Sequence, residues 1–179
     1  FTFSRPWMIQ PLWERFERTD LTRSFYLKVV RETFINRASI DRARNVRELR
    51  ESDLPLIQAY PADHPSLQKS FDYTMARWRQ GQRALRLLGM FNAGQLAAWV
   101  QFWMGPGLAE VTNIHTHPAF RRLGHGAMLL SVAVIAIFKD HDEAFYTAAD
   151  DNLPSLRLAQ SVGFRHECAT YTFAGERRV

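Results

Sequence analysis

Residues 127–138 are apolar without a break except at Ser131. As a helix this run covers ~18 Å, well short of the ~30 Å that a bilayer requires. A helix apolar nearly all round has no face to give to water. It must lie inside the molecule against a sheet, and the rest of the chain must supply that sheet. Residues 108–116 just upstream read as a strand, and a loop carrying Gly124 and Gly126 joins strand to helix.

Other strands follow from alternation and turn signals. Residues 46–50 form a short strand, and Ser52 can cap a helix running through Leu56 to Tyr60. Pro65 suits a first helical position, and Leu67, Phe71, Met75 and Trp78 follow at helical spacing, ending near Gly81. Residues 83–91 and 95–104 flank Asn92-Ala93-Gly94, a tight hairpin turn. In the second of these strands Leu96, Ala98, Val100, Phe102 and Met104 share one face, with Trp99, Gln101 and Trp103 opposite. Gly105-Pro106-Gly107 turns into 108–116. After the apolar helix come a strand at 144–149, a helix at 153–162 broken by Gly163, and a last strand at 166–173. The order is strand, two helices, three antiparallel strands, helix, strand, helix, strand. That is an α/β (α+β) arrangement on a mixed sheet.

Residues 1–44 differ, with many Arg and aromatic residues and no Gly. Thr19 or Asp20 can cap a helix in which Leu21, Phe25 and Val29 share a face. The expectation is a helical N-terminal extension over 1–44, ahead of a domain over 45–179. The chain opens on Phe1 rather than Met, as a processed or excised piece of a larger protein would.

At 179 residues and 46% apolar content, one domain with a proper core is expected. The excess of 23 Lys plus Arg over 18 Asp plus Glu gives a net charge of +5. Such a balance suits an acidic ligand such as a phosphorylated cofactor, and favours it over nucleic acid. The single cysteine, Cys168, excludes a disulfide within the chain and suits a reducing, cytoplasmic compartment. No charged-then-apolar signal segment opens the sequence, and no membrane association is expected.

The most informative stretch is Thr116-His117-Pro118-Ala119-Phe120-Arg121-Arg122-Leu123-Gly124-His125-Gly126-Ala127. A helix beginning near Gly124 opens on unpaired N–H groups and a partial positive charge. A pyrophosphate can accept several of those N–H bonds. Gly124 and Gly126 let it approach, and Arg121 and Arg122 add full charges at the rim. The alternative is an ordinary turn that enters a helix through glycines. No Gly-Lys-Ser/Thr follows, so this is no nucleotide-binding lysine loop. It also comes too late, after an antiparallel meander, for a dinucleotide fingerprint.

A second segment, Asn152-Leu153-Pro154-Ser155-Leu156-Arg157-Leu158-Ala159-Gln160-Ser161-Val162-Gly163-Phe164, puts an Asn at a strand end, then a short helix, then Gly-Phe. Together the two segments resemble the GNAT superfamily of N-acetyltransferases. The first is similar to the motif V-x-P-x-x-R/Q-x-x-G-x-G/A, with Thr116 in place of Val. The second is similar to N-x-x-[A/S]-x-x-L…G-F. The resemblance covers residues 45–173, element order included.

The resemblance implies a mixed sheet of six to seven strands, splayed between the fourth and fifth and flanked by helices. It implies acetyl-CoA as acyl donor, with no metal, and an amine on a small molecule, peptide or protein as acceptor. Backbone amides of Arg121, Arg122, Leu123, Gly124, His125, Gly126 and Ala127 would hold the pyrophosphate of coenzyme A. Ile114, His115 and Thr116 would lie beside the pantetheine arm, with Asn152 and Ser155 across from them. Glu110, eleven residues before Arg121, resembles the catalytic carboxylate of the histone-acetylating branch. A carboxylate there can draw a proton from the acceptor ammonium; a strand-start Glu facing solvent is the other reading. Many members carry a Tyr immediately after the second motif's Leu, which protonates the departing thiolate. Here that position is Ala159, and Tyr146 and Tyr171 are candidate substitutes or packing residues. A thiolate also leaves well unaided near neutral pH. Two further readings stay open: a non-catalytic CoA or acyl-CoA sensor, and transfer of a longer acyl group or onto a carrier-protein thiol. Dimers are frequent among such proteins, so the chain is expected as a homodimer or as part of a larger chain.

His115 and His117 lie two apart on a strand and share a side, but no nearby Cys or carboxylate completes a metal set. His125 lies inside the loop, where a cofactor phosphate could meet it, but its side chain is expected to face solvent. Cys168 has no motif around it and reads as a small packed residue. Tyr60, Asp63 and His64 fall where acceptor sites of the resembled family are shaped.

Overall fold

A computed structural model describes residues 2–3, 16–61 and 66–177. Its strands are β1 (Thr2–Phe3), β2 (Phe16–Val30), β3 (Val46–Glu48), β4 (Leu85–Asn92), β5 (Gln95–Gly105), β6 (Leu108–Thr116), β7 (Glu143–Ala149) and β8 (Arg165–Arg177). Its α-helices are α1 (Ile40–Ala43), α2 (Leu54–Gln58), α3 (Ser66–Arg79), α4 (His125–Ile137) and α5 (Leu153–Ser161). The expected Pro65 helix start, Asp63 and His64 lie outside the described residues. Among the described residues no helix is long and apolar enough to cross a membrane.

All eight strands join one sheet, in the order β1-β8-β2-β7-β6-β5-β4-β3. The β6–β7 pair is parallel and every other pair antiparallel. A parallel neighbour needs a crossover connection, and the apolar helix α4 supplies it. Met128, Leu129, Leu130, Ala133, Val134 and Ile137 of α4 are at most 1% exposed. They form one core with Val29, Ala98, Val100, Phe102, Val111, Ala144, Tyr146 and Phe164. A second core lies under α2 and α3, where Ile57, Leu67, Phe71 and Met75 meet Leu49, Leu87, Leu96 and Trp99.

The N-terminal segment departs from expectation. Residues 16–30 form a strand, inserted between β8 and β7 with hydrogen-bonded partners on both sides. Leu21, Phe25 and Val29 do share a face, because a spacing of four repeats on a strand as well as on a helix. Leu27, at 2% exposed, decides the period: with Val29 at 0%, it gives the alternation of a strand. The sheet therefore has two strands, β1 and β2, that the sequence pattern did not announce.

A register jump between β4 and β5 also matters. Met90 pairs with Ala98 but Phe91 pairs with Leu96, so Ala97 is an extra residue. The bulge turns Leu96 away from the Ala98 row and into the second core. Trp99 and Gln101 face α3. The Gln101 amide nitrogen donates to Ser70 O (3.2 Å) and Thr74 Oγ1 (3.0 Å). The expected cap by Ser52 is replaced by a 3₁₀ turn, Glu51–Asp53, in which the Asp53 carboxylate accepts from Arg50 N at 2.7 Å.

Candidate active site

The parallel pair β6–β7 is short. Glu110 pairs with Phe145 and Val111 with Tyr146, and there the pairing ends. β6 continues to Thr116 and β7 to Ala149, so the two strands part. A second bulge, at Thr112, lies at this fork, since Gln101 pairs with Asn113 and Phe102 with Val111. Opening a sheet in its middle strips two strands of partners, and backbone groups left without partners are costly unless something accepts them.

A groove of about 680 Å³ runs along this opening. Ile114, His115 and Thr116 of β6 line one side, and Asn152, Ser155 and Leu158 the other. Its end is the loop into α4, with Arg121, Arg122, Gly124, His125, Gly126 and Ala127. Eleven of the twelve positions expected to hold coenzyme A are thus gathered around one cavity. The twelfth, Leu123, has an exposed side chain, and its carbonyl accepts from Arg42 Nη1 at 3.0 Å. Phe120 and Pro154 also line the groove, with nothing in their spacing to distinguish them, and so does Leu158, the Leu of the second motif.

The loop geometry suits an anion. Arg122 has φ 63° and Gly124 φ 77°, both left-handed. Alternating backbone hands turn successive N–H groups to one side, which makes an anion-binding concavity. Glycine adopts this conformation without the penalty a Cβ brings, and Gly124 is the N-cap of the thirteen-residue helix α4. The positive end of that helix therefore faces the groove. Arg42, from α1, stands beside Gly124 as a cation that only the tertiary structure brings here.

His125 corrects the expected exposure. Its ring is 7% exposed, and neither nitrogen has a hydrogen-bond partner. Burial, reinforced by Arg42, holds the imidazole below its usual range, so it is neutral at pH 7. A buried imidazole with open hydrogen-bonding capacity beside the groove fits a site built for a polyatomic ligand.

His115 and His117 do share a side, and both rings pack edge-on against Tyr60. Their nitrogens are engaged: His115 Nδ1 lies 2.8 Å from Tyr60 Oη, and His117 Nδ1 accepts from Ala119 N at 3.1 Å. Arg121 Nη2 lies 3.3 Å from His115 Nε2. Glu110 is not part of the groove wall. Its neighbours Ala109 and Val111 point into the α4 core, each 1% exposed, which sends Glu110 to the opposite face. There Oε1 accepts from Thr147 Oγ1 at 2.7 Å, across the fork. Tyr26 of β2 stacks on Phe145 on that face at 5.0 Å. Burial, with Glu110 adding to it, pushes the Tyr26 phenol up to about 12. Ala159 is fully buried and Tyr171 lies on β8 opposite β2, while the Tyr146 hydroxyl meets Ser155 Oγ at 2.6 Å.

Solved structures share this fold. An acetyltransferase of the GNAT family from Novosphingobium aromaticivorans superposes with a TM-score of 0.63 at 22% identity, over 89% of this chain and 67% of that one. One from Colwellia psychrerythraea gives a TM-score of 0.70 at 11% identity, over 98% and 64%. The aminoglycoside N-acetyltransferase AAC(6')-Iy, solved in complex with CoA, gives 0.51 at 14% identity, over 75% and 95%. These likenesses establish the fold. The chain spans about two thirds of the length of the first two. No curated protein matches it in sequence. The sequence profile of the Acetyltransferase (GNAT) family does match, over residues 44–164, which include the forked strands, the glycine loop and the Asn152 helix. On that match the chain belongs to the GNAT acetyltransferase family.

Proposed function

We propose that the protein is an acetyl-CoA-dependent N-acetyltransferase that passes the acetyl group directly to an amine while donor and acceptor are both bound. The observation that carries this is the fork of β6 and β7 opening beside the loop of Arg121–Ala127. The loop amides, the α4 N-terminus and Arg121, Arg122 and Arg42 suit the pyrophosphate. Ile114, His115 and Thr116 on one side, with Asn152 and Ser155 on the other, suit a narrow pantetheine arm. The thioester supplies an activated acyl carbon, which then lies near the fork. Free strand amides there can polarise its carbonyl.

Glu110 is the proposed general base. It sits at the fork on the face opposite α4, so an amine entering from that face meets the carboxylate first. An ammonium must lose a proton before it can attack. The acceptor is a small-molecule, peptide or protein amine, and a cytoplasmic location accords with the single cysteine. The fully buried Ala159 favours a second reading, a CoA or acyl-CoA sensor without turnover.

Calorimetry with coenzyme A and thiol release from acetyl-CoA across a panel of amines separate these readings. Binding with turnover on at least one amine is expected; binding without turnover on any amine turns the assignment to the sensor. Gly124→Glu puts a Cβ on a left-handed residue and a negative charge against the phosphates. Its affinity for coenzyme A is expected to fall on the order of 100-fold, in a protein whose circular dichroism is unchanged. Undiminished affinity in that variant removes the loop assignment.

A further inference from the structure

A thiolate can leave unaided near neutral pH, but a hydrogen-bond donor facing the sulfur eases its loss, and Ala159 offers none. Two hydroxyls line the groove, those of Thr116 and Ser155. Thr116 stands at the loop end, where its Oγ1 lies 3.3 Å from the position a Cβ on Gly126 would take. Ser155 is tied to the other end. Its Oγ is 2.6 Å from the hydroxyl of Tyr146, and Tyr146 is the last residue of β7 that still pairs with β6. The Tyr146 side chain is 3% exposed and packs edge-on to Phe164 at 5.6 Å. Asn152 Oδ1 accepts from Ser155 N at 3.2 Å and fixes that residue at the start of α5. A hydroxyl in so confined a place has few rotamers and a fixed partner.

We infer that Tyr146 donates its hydroxyl proton to Ser155 Oγ and thereby aims the Ser155 O–H into the groove, as the hydrogen-bond donor that receives the departing sulfur. This rests on the proposed binding of acetyl-CoA. Ser155 is the residue that touches substrate; Tyr146 is a positioning residue that acts through it. In the step served, the acceptor nitrogen bonds to the acyl carbon and the C–S bond breaks. The electron pair stays on sulfur, and the nitrogen's proton goes to the base. Ser155 keeps its proton and shares it with the thiolate, which takes a proton from solvent on release. Burial raises the Tyr146 phenol above its ordinary value of 10.0, against a smaller opposing effect of the Ser155 hydrogen bond. The phenol thus stays protonated while a thiol titrates, which suits a fixed donor and not a proton source.

The test needs no acceptor. Coenzyme A bound to the intact chain is titrated with pH and its thiolate followed by ultraviolet absorbance, against the complex with desulfo-coenzyme A to cancel tyrosinate. A charge-assisted hydrogen bond to the sulfur is expected to make the bound thiol about tenfold more acidic than free coenzyme A. Ser155→Ala is expected to remove that gain and Tyr146→Phe to remove most of it. Ser155→Ala is also expected to lose a pantetheine contact and some calorimetric affinity for coenzyme A, but binding should stay measurable in both variants, because the pyrophosphate contacts remain. A merely structural role would move melting temperature and leave the thiol titration in place. Bound coenzyme A whose thiol titrates alike in the wild type and both variants overturns the inference while leaving the binding proposal intact. Failure of the wild type to bind coenzyme A overturns both, and the calorimetry distinguishes the two cases.

Discussion

Gly163 shows how one residue can be dictated by a distant part of the chain. A Cβ built there would lie 1.9 Å from the carbonyl oxygen of Thr33 and 3.1 Å from Ile35 N, and its φ is 97°. The turn after β2 presses on this residue, and Ile35 N donates to Val162 O at 3.0 Å. Gly163→Ala must therefore separate two backbones and strain one. It is expected to destabilise the protein by about 3 kcal/mol, read as a lower urea midpoint. A shift under about 0.5 kcal/mol would show that the two segments are not held together. At this scale the sequence was informative about backbone and less so about side chains. Gly124 and Gly163 were legible as special positions. The burial of His125 was not, because cover from the surrounding chain is invisible in a loop read by itself.

At the scale of elements, the Asp53 carboxylate ties β3 to the start of α2. It accepts from Arg47 Nη1 and Nη2, both at 2.7 Å, and from Arg50 N at 2.7 Å. The Arg47 guanidinium, helped by Arg50 N and opposed by burial, holds the Asp53 carboxyl below its ordinary value of 3.8. A folded value below the unfolded one means stability that is full above the unfolded value and lost as pH falls through the folded one. Asp53→Ala is expected to cost about 2 kcal/mol at pH 7, discounted because Arg47 is 44% exposed. Chemical denaturation should show the difference between wild type and variant shrinking below pH 4, and a difference unchanged at pH 3 would contradict this. Among the elements, those with unambiguous patterns were legible: α4 by its unbroken apolar run, α5, the β4–β5 hairpin with positive φ at Ala93 and Gly94, and β6. Those read wrongly had a degenerate pattern. A spacing of four fits helix and strand alike in β2, and one bulged residue in β5 reverses the face of Leu96.

For the whole molecule, β2 is the element on which closure depends. It comes from before the family match at 44–164, yet it fills the slot between β7 and β8. Without it two strands would present open edges. A chain starting at residue 31 is expected to lose native circular dichroism or to aggregate on size exclusion. A monomeric, cooperatively melting truncation would show that the slot is dispensable. The same placement brings Tyr26 beside Phe145 on the face that Glu110 shares, so a segment upstream of the family match forms part of the proposed acceptor side. The sequence by itself determined the backbone of the glycine loop. Glycine positions, an apolar helix and a strand end are local constraints, and local constraints are written in consecutive residues. Tertiary structure alone decided which strand closes the sheet, that Arg42 stands over the loop, and that Tyr146 meets Ser155. Those depend on contacts between segments far apart in the chain, and no spacing along one sequence encodes them.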